Sequence, residues 1–269
     1  MDAGWATQHS AERDRMLAAA IEVLTADDRF VAAWLSGSFG RDEQDGLSDV
    51  DITVVVADEF AERVCHRPHQ VGAGTTPERR AVLQSIGEPA IVMENHYNAP
   101  DGGAFTACVY ASGVTVDWTF VPAVNAARSA DTRLLFDTVE IPAAPLPATM
   151  TDAERAQRLS EQTAFFWMMI VPTSKARLRG DGVAFHEMLE MLYGVTADVE
   201  RLLRHEPWRY RRQSRAPFST TVAEQQEAVR AICERMDALA PSIVAAGALV
   251  PESSMRAVAP WLDASASSS

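Results

Sequence analysis

Residues 34–56 read Trp-Leu-Ser-Gly-Ser-Phe-Gly-Arg-Asp-Glu-Gln-Asp-Gly-Leu-Ser-Asp-Val-Asp-Ile-Thr-Val-Val-Val, two apolar runs of strand character joined by a polar, glycine-containing connection. No other stretch constrains the fold as tightly. The first run delivers the chain into Ser36-Gly37-Ser38, where glycine permits close backbone approach and Ser38 brings a hydroxyl and an amide to a helix start, a turn suited to phosphate. After ten intervening residues come Asp49 and Asp51. Because side chains alternate along a strand, a spacing of two places both carboxylates on one face and sends Val50 and Ile52 into the core. Two adjacent carboxylates repel each other unless a cation lies between them, which points to Mg²⁺.

A third acid stands in residues 113–121, Gly-Val-Thr-Val-Asp-Trp-Thr-Phe-Val. There Val114, Val116, Trp118 and Phe120 fill one strand face and leave Asp117 on the other. An acid in so apolar a strand needs a partner.

Helical spacing of Met16, Leu17, Ala20, Ile21 and Leu24 predicts an amphipathic helix over 10–24. Strand-like runs follow at 31–35, 50–56, 90–93, 105–111 and 114–121. Three prolines within 141–150 favour an extended connection and divide the chain into residues 1–140 and 151–262, with a small, polar, flexible tail at 263–269. Thr151 with Glu154, and Thr221 with Glu224, have capping-box spacing and each opens a long helix. A further helix beginning near Gly182 offers Leu189, Leu192, Val199 and Leu202 as core, and the last offers Val229, Ile232, Met236 and Leu239. The expected class is α+β, a mixed β-sheet flanked by helices followed by a helical domain.

At 269 residues and 47% hydrophobic, the chain can bury a substantial core. With 24 basic against 37 acidic residues, its charge of −13 opposes long-range attraction to a polyanion and suits cationic small molecules. No apolar run is long enough to span a bilayer and the N-terminus lacks a signal-peptide pattern, so a soluble, cytoplasmic protein with no membrane partner is expected. Cys65, Cys108 and Cys233 have no paired spacing and read as reduced packing residues. Lys175 is the sole lysine. An ammonium is a compact charge that arginine does not replace at a phosphate.

Gly37-Ser38 followed by Asp49-x-Asp51 in an apolar strand, with Asp117 on a later strand, resembles the nucleotidyltransferase superfamily typified by DNA polymerase β. The further features resemble its aminoglycoside and lincosamide adenylyltransferase branch. The resemblance covers residues 31–121 and implies a two-Mg²⁺ transfer of a nucleoside monophosphate, AMP from ATP or another NTP, to an acceptor hydroxyl with release of pyrophosphate. It assigns Asp49, Asp51 and Asp117 as metal ligands and catalytic residues, Asp117 being the first candidate for general base. Gly37 and Ser38 match the phosphate turn, with Arg41 near enough to assist. A fainter resemblance around Phe166-Trp167 and Lys175 places that lysine on the β- and γ-phosphates. Pro172 interrupts the helical pattern there.

Glu161, Glu187 and Glu190 are alternative bases or, more simply, solvated helix acids. Glu94 is a surface strand-end acid or a pocket residue, and His66-x-x-His69 a surface loop. Arg201, Arg204, Arg209, Arg211, Arg212 and Arg215, interleaved with Trp208 and Tyr210, have the composition of a nucleic-acid patch or of a solvated helix end. Three functions are in competition. The first is transfer of AMP to a small, hydroxyl-bearing, cationic acceptor of aminoglycoside type. The second is nucleotide addition to tRNA or another nucleic acid, which the charge disfavours. The third is a non-catalytic, nucleotide-binding regulatory protein.

Overall fold

Helix α1 (Ala3–Thr25) lays Met16, Ala20 and Leu24 along one buried stripe, and α4 (Pro77–Ile86) does the same with Val82, Leu83 and Ile86. Both stripes pack into one cluster with the inward residues of a six-stranded sheet. The computed structural model describes residues 3–66, 75–95, 98–146, 149–207, 216–251 and 254–264. It divides into two compact units, Met1–Pro147 and Ala148–Ser269, and the class is α+β, as the sequence predicts.

The strands are β1 (Phe30–Leu35), β2 (Val50–Val56), β3 (Pro89–Asn95), β4 (Ala104–Tyr110), β5 (Thr115–Pro122) and β6 (Arg133–Asp137), in spatial order β3-β4-β5-β2-β1-β6. β2 and β5 run parallel, whereas the other pairings are antiparallel. β6 is missing from the sequence reading. It is a short edge strand in which Leu134 is 45% exposed, so it carries little of the alternation that marks a half-buried strand. Short helices α2 (Gly37–Gly40) and α3 (Asp58–Val64) complete the first unit. α1 starts well before the predicted residue 10.

The second unit holds α5 (Asp152–Leu178), α6 (Gly182–Leu203), α7 (Val222–Ala245) and α8 (Ser254–Asp263). Both capping boxes form. The Glu154 amide donates to Thr151 Oγ1 at 3.2 Å while Glu154 Oε2 accepts from the Thr151 amide at 2.8 Å, and Thr221 with Glu224 repeats the arrangement. α5 continues through Pro172. The predicted core positions of α6 and α7 are buried, except that Leu239 is only partly so. Asp263 ends α8 and accepts from Arg230, and the Ala264 carbonyl accepts from Arg177. These two residues of the expected tail are therefore tied down, while 265–269 lie outside the described residues. All three cysteines are buried and free, as expected of packing residues. Among the described residues, no helix is long and apolar enough to cross a membrane.

Candidate active site

The parallel pairing of β2 with β5 sets Asp51 opposite Asp117. Partners in register point to the same sheet face with backbones about 4.8 Å apart, so the two carboxylates are brought side by side from positions distant in sequence. Their flanking residues Val50, Ile52, Val116 and Trp118 point the other way and are buried against α1 and α4. The same rung continues outward through Ala107 of β4, which pairs with Asp117, to Met93 of β3. A methyl beside Asp117 leaves its carboxylate room on that side. The next rung pairs Thr53 with Thr119, hydroxyls that sequence reasoning passed over although their alternation with the core valines was legible. At the β3 edge the face is apolar and open, with Ile91 62% and Met93 48% exposed.

The Gly37–Ser38 turn closes on the same place. β1 ends at Leu35, and the Ser36 amide donates to the Asp51 carbonyl at 3.0 Å. Gly37 has φ of +60°, and a β-carbon there would lie 2.1 Å from Asp51 Oδ2. The Asp51 carboxylate thus occupies the space that any other residue at 37 would fill with its side chain. Ser38 is half-buried in the first turn of α2, its carbonyl accepting from the Glu43 amide at 2.9 Å. Arg41 follows α2 and donates to Glu43 at 2.9 Å.

Asp49 is half-buried one residue ahead of β2. The structure therefore joins Gly37, Asp51 and Asp117 directly, with Asp49 at the entrance to the strand. Among the described residues, no group of three or more His, Cys, Asp or Glu side chains is gathered to hold a metal. The oxygen donors that are present suit a hard divalent cation such as Mg²⁺.

Lys175 belongs to the second unit. It is exposed in the last turn of α5, with its ammonium 5.3 Å from the Trp261 ring centroid. Glu161 is exposed and accepts from Gln157, while Glu190 accepts from the Ala216 amide at 2.9 Å. Glu187 and Glu190 line a cavity of about 670 Å³ with His186, Phe218 and Gln225. Phe218 stacks on His186 at 4.9 Å.

Glu94 corrects the sequence reading. It is 1% exposed, and its register partner Thr106 lies on the helix-covered side of the sheet, opposite the face that bears Asp117. Arg79, itself 0% exposed, donates to Glu94 Oε1 at 2.9 Å and Oε2 at 2.5 Å, and Thr106 Oγ1 donates to it at 3.1 Å. The remaining Arg79 donors reach the Val64 and His66 carbonyls. An apolar strand conceals such a pair from one-dimensional reading because the guanidinium comes from a helix 15 residues away. Arg201 and Arg204 pair with Asp198, Glu200 and Glu206, which leaves them poorly suited to phosphates. Residues 208–215 of the basic run, and His69, lie outside the described residues.

No protein-family profile and no curated protein matches this chain. Among solved structures it is similar to an aminoglycoside 6-adenyltransferase from Bacillus subtilis, at 11% identity over 94% of this chain and 97% of that one, with a TM-score of 0.29. It is also similar to the STING-associated CdnE c-di-GMP synthase from Capnocytophaga granulosa, at 9% identity over 90% of this chain and 82% of that one, TM-score 0.29.

Proposed function

We propose that the chain is a Mg²⁺-dependent nucleotidyltransferase that moves AMP from ATP to a hydroxyl of a small, cationic acceptor of aminoglycoside type. The observation that carries this reading is the facing of Asp51 and Asp117 across the parallel strand pair, with the Asp51 carboxylate seated against Gly37. A structural sheet has no use for two acids in register on one face, since like charges directly opposite destabilise it.

Asp51 and Asp117, with Asp49 at the strand entrance, would hold Mg²⁺, which when bound supplies charge neutralisation at the entering and leaving oxygens. Asp51 is fixed by its neighbours on β2 and by the Ser36 amide at its carbonyl, so its role is to anchor. Asp117, with the small Ala107 beside it on β4, is the acid with space for an acceptor hydroxyl and would take its proton. The backbone of Gly37 and Ser38 would face the phosphates. The charge of −13 favours a cationic acceptor over RNA.

The experiment is incubation with α-labelled NTPs, Mg²⁺ and a panel of aminoglycosides, reading labelled adduct and pyrophosphate. Asp51→Asn and Asp117→Asn should each lower transfer by about a hundredfold or more, in line with groups that act on developing charge. Full turnover in either aspartate variant would remove the proposal.

A further inference from the structure

Helix α1 carries an arginine on its buried stripe. Residues 13, 16, 20 and 24 share one helix face, and Arg13 is 5% exposed beside Met16, Ala20 and Leu24 at 1% or less. Such a position normally takes an apolar residue, because a buried guanidinium must find partners for its donors. Arg13 finds them in two separate pieces of the candidate site. Its Nη1 donates to the Asp45 carbonyl at 2.6 Å and the Ser48 carbonyl at 3.3 Å. Its guanidinium lies 4.8 Å from the ring centroid of Phe39, which is buried in α2. Asp14 accepts from Nε and Nη2 at 3.0 and 2.9 Å and supplies the counter-charge.

Both partners adjoin residues with assigned roles. Ser48 immediately precedes Asp49, and Phe39 immediately follows Gly37-Ser38. The segment gripped by Nη1 is cross-linked within itself, since Asp45 Oδ1 accepts from the Leu47 amide and the Ser48 hydroxyl while the Asp45 amide donates to Ser48 Oγ. One turn earlier on α1, His9 Nδ1 lies 3.3 Å from the Gly46 carbonyl. The guanidinium donates to two carbonyls through Nη1 and to Asp14 through Nε and Nη2 while lying over an aromatic ring, a planar set of donors that the three-donor point charge of lysine does not reproduce.

We propose that Arg13 is a positioning residue that locks the entry to Asp49 against the Gly37–Ser38 turn, so that metal ligand and phosphate turn keep one geometry. This rests on the nucleotidyl-transfer reading of the same site. A displacement of about 1 Å can cost roughly a hundredfold in rate, so Arg13→Lys and Arg13→Met should lower kcat about that much. They should also raise the Mg²⁺ concentration at half-maximal rate and leave the acceptor KM near its original value.

The test pairs those kinetics with two measurements that need no turnover, Mn²⁺ binding followed by electron paramagnetic resonance and amide hydrogen exchange across residues 41–51. Weaker Mn²⁺ binding together with faster exchange at 48–49, in variants that retain the native near-ultraviolet circular dichroism, is the expected result. Folded variants with unchanged Mn²⁺ affinity and exchange overturn it, as does a lower melting temperature with no change in metal dependence. If the parent chain itself neither binds Mn²⁺ nor transfers a nucleotide, the nucleotidyl-transfer reading fails and the positioning role falls with it. That outcome is distinct from an active parent with indifferent variants.

Discussion

Gly37→Ala isolates the contact on which the candidate site turns. At φ of +60° an alanine pays the left-handed penalty of about 1–2 kcal/mol, and its methyl would stand 2.1 Å from Asp51 Oδ2. That separation is untenable, so the carboxylate must leave its rotamer, adding about 0.5–1.5 kcal/mol. The sum is roughly 1.5–3.5 kcal/mol, or about 3–14 °C in melting temperature at the ~2–4 °C per kcal/mol expected of a unit this size. Gly113→Ala is the matched control, because Gly113 has φ of +83° and nothing lies within 4 Å of the point where an alanine methyl would stand. It carries the backbone penalty without the collision. Thermal unfolding and nucleotidyl transfer should be measured on both variants. Gly113→Ala should lose about 1–2 kcal/mol with transfer intact, whereas Gly37→Ala should lose more and transfer little. Equal destabilisation of the two, or full transfer by Gly37→Ala, refutes the claim that residue 37 is glycine to accommodate the Asp51 carboxylate.

Two further predictions concern the frame around the site. In urea denaturation, Glu94→Gln should destabilise by about 3–5 kcal/mol, the usual consequence of stranding one member of a buried ion pair. Arg79→Met should cost more, since it also strips donors from the Val64 and His66 carbonyls, and the reverse order would contradict the network as described. Burial pushes the thiols of Cys65 and Cys233 up to about 12 and that of Cys108 to about 11, from an ordinary 9.0. The unfolded chain then releases these protons first, so stability is full below pH 9 and declines as pH rises toward 11–12, by about 1.4 kcal/mol per pH unit for each thiol. Cys233→Ala should flatten the alkaline limb of a stability-versus-pH curve, and an unchanged slope would show that this thiol ionises alike in both states.

The parts of this architecture that repeat along the chain are legible in it. Alternation in residues 114–121 announces which side of β5 is core, and two capping boxes announce where α5 and α7 begin, because both signals are local. Interactions that join elements are not. Arg79 lies in a helix whose pattern gives no sign of the acid it meets, and Glu94 lies in a strand whose apolar neighbours suggest an edge. Only the fold reveals that they neutralise each other. Arg13 falls between these cases. Its place on the stripe with Met16, Ala20 and Leu24 could have been read from spacing, but a charged residue on an apolar face is readily taken for a snorkelling surface side chain. Its hydrogen-bond partners distant in sequence are backbone carbonyls, which leave no trace in sequence.

The site therefore depends on the core beneath it. Asp51 meets Asp117 only because β2 and β5 pair in one register, and a slip of one residue would turn Asp117 onto the face packed by α1 and α4. What forbids the slip is the opposite side of the same strands. Ile52, Val54, Trp118 and Phe120 are each 1% exposed or less and belong to one cluster with Leu24 and Leu83. A slip would bury Asp117 and Thr119 in their place and bring Trp118 and Phe120 to the open face, forfeiting about 1.5–3 kcal/mol for each large apolar side chain exposed. The register that brings two carboxylates together is thus enforced by apolar residues on the opposite face of the sheet, and a cation between the carboxylates would turn their repulsion into binding energy.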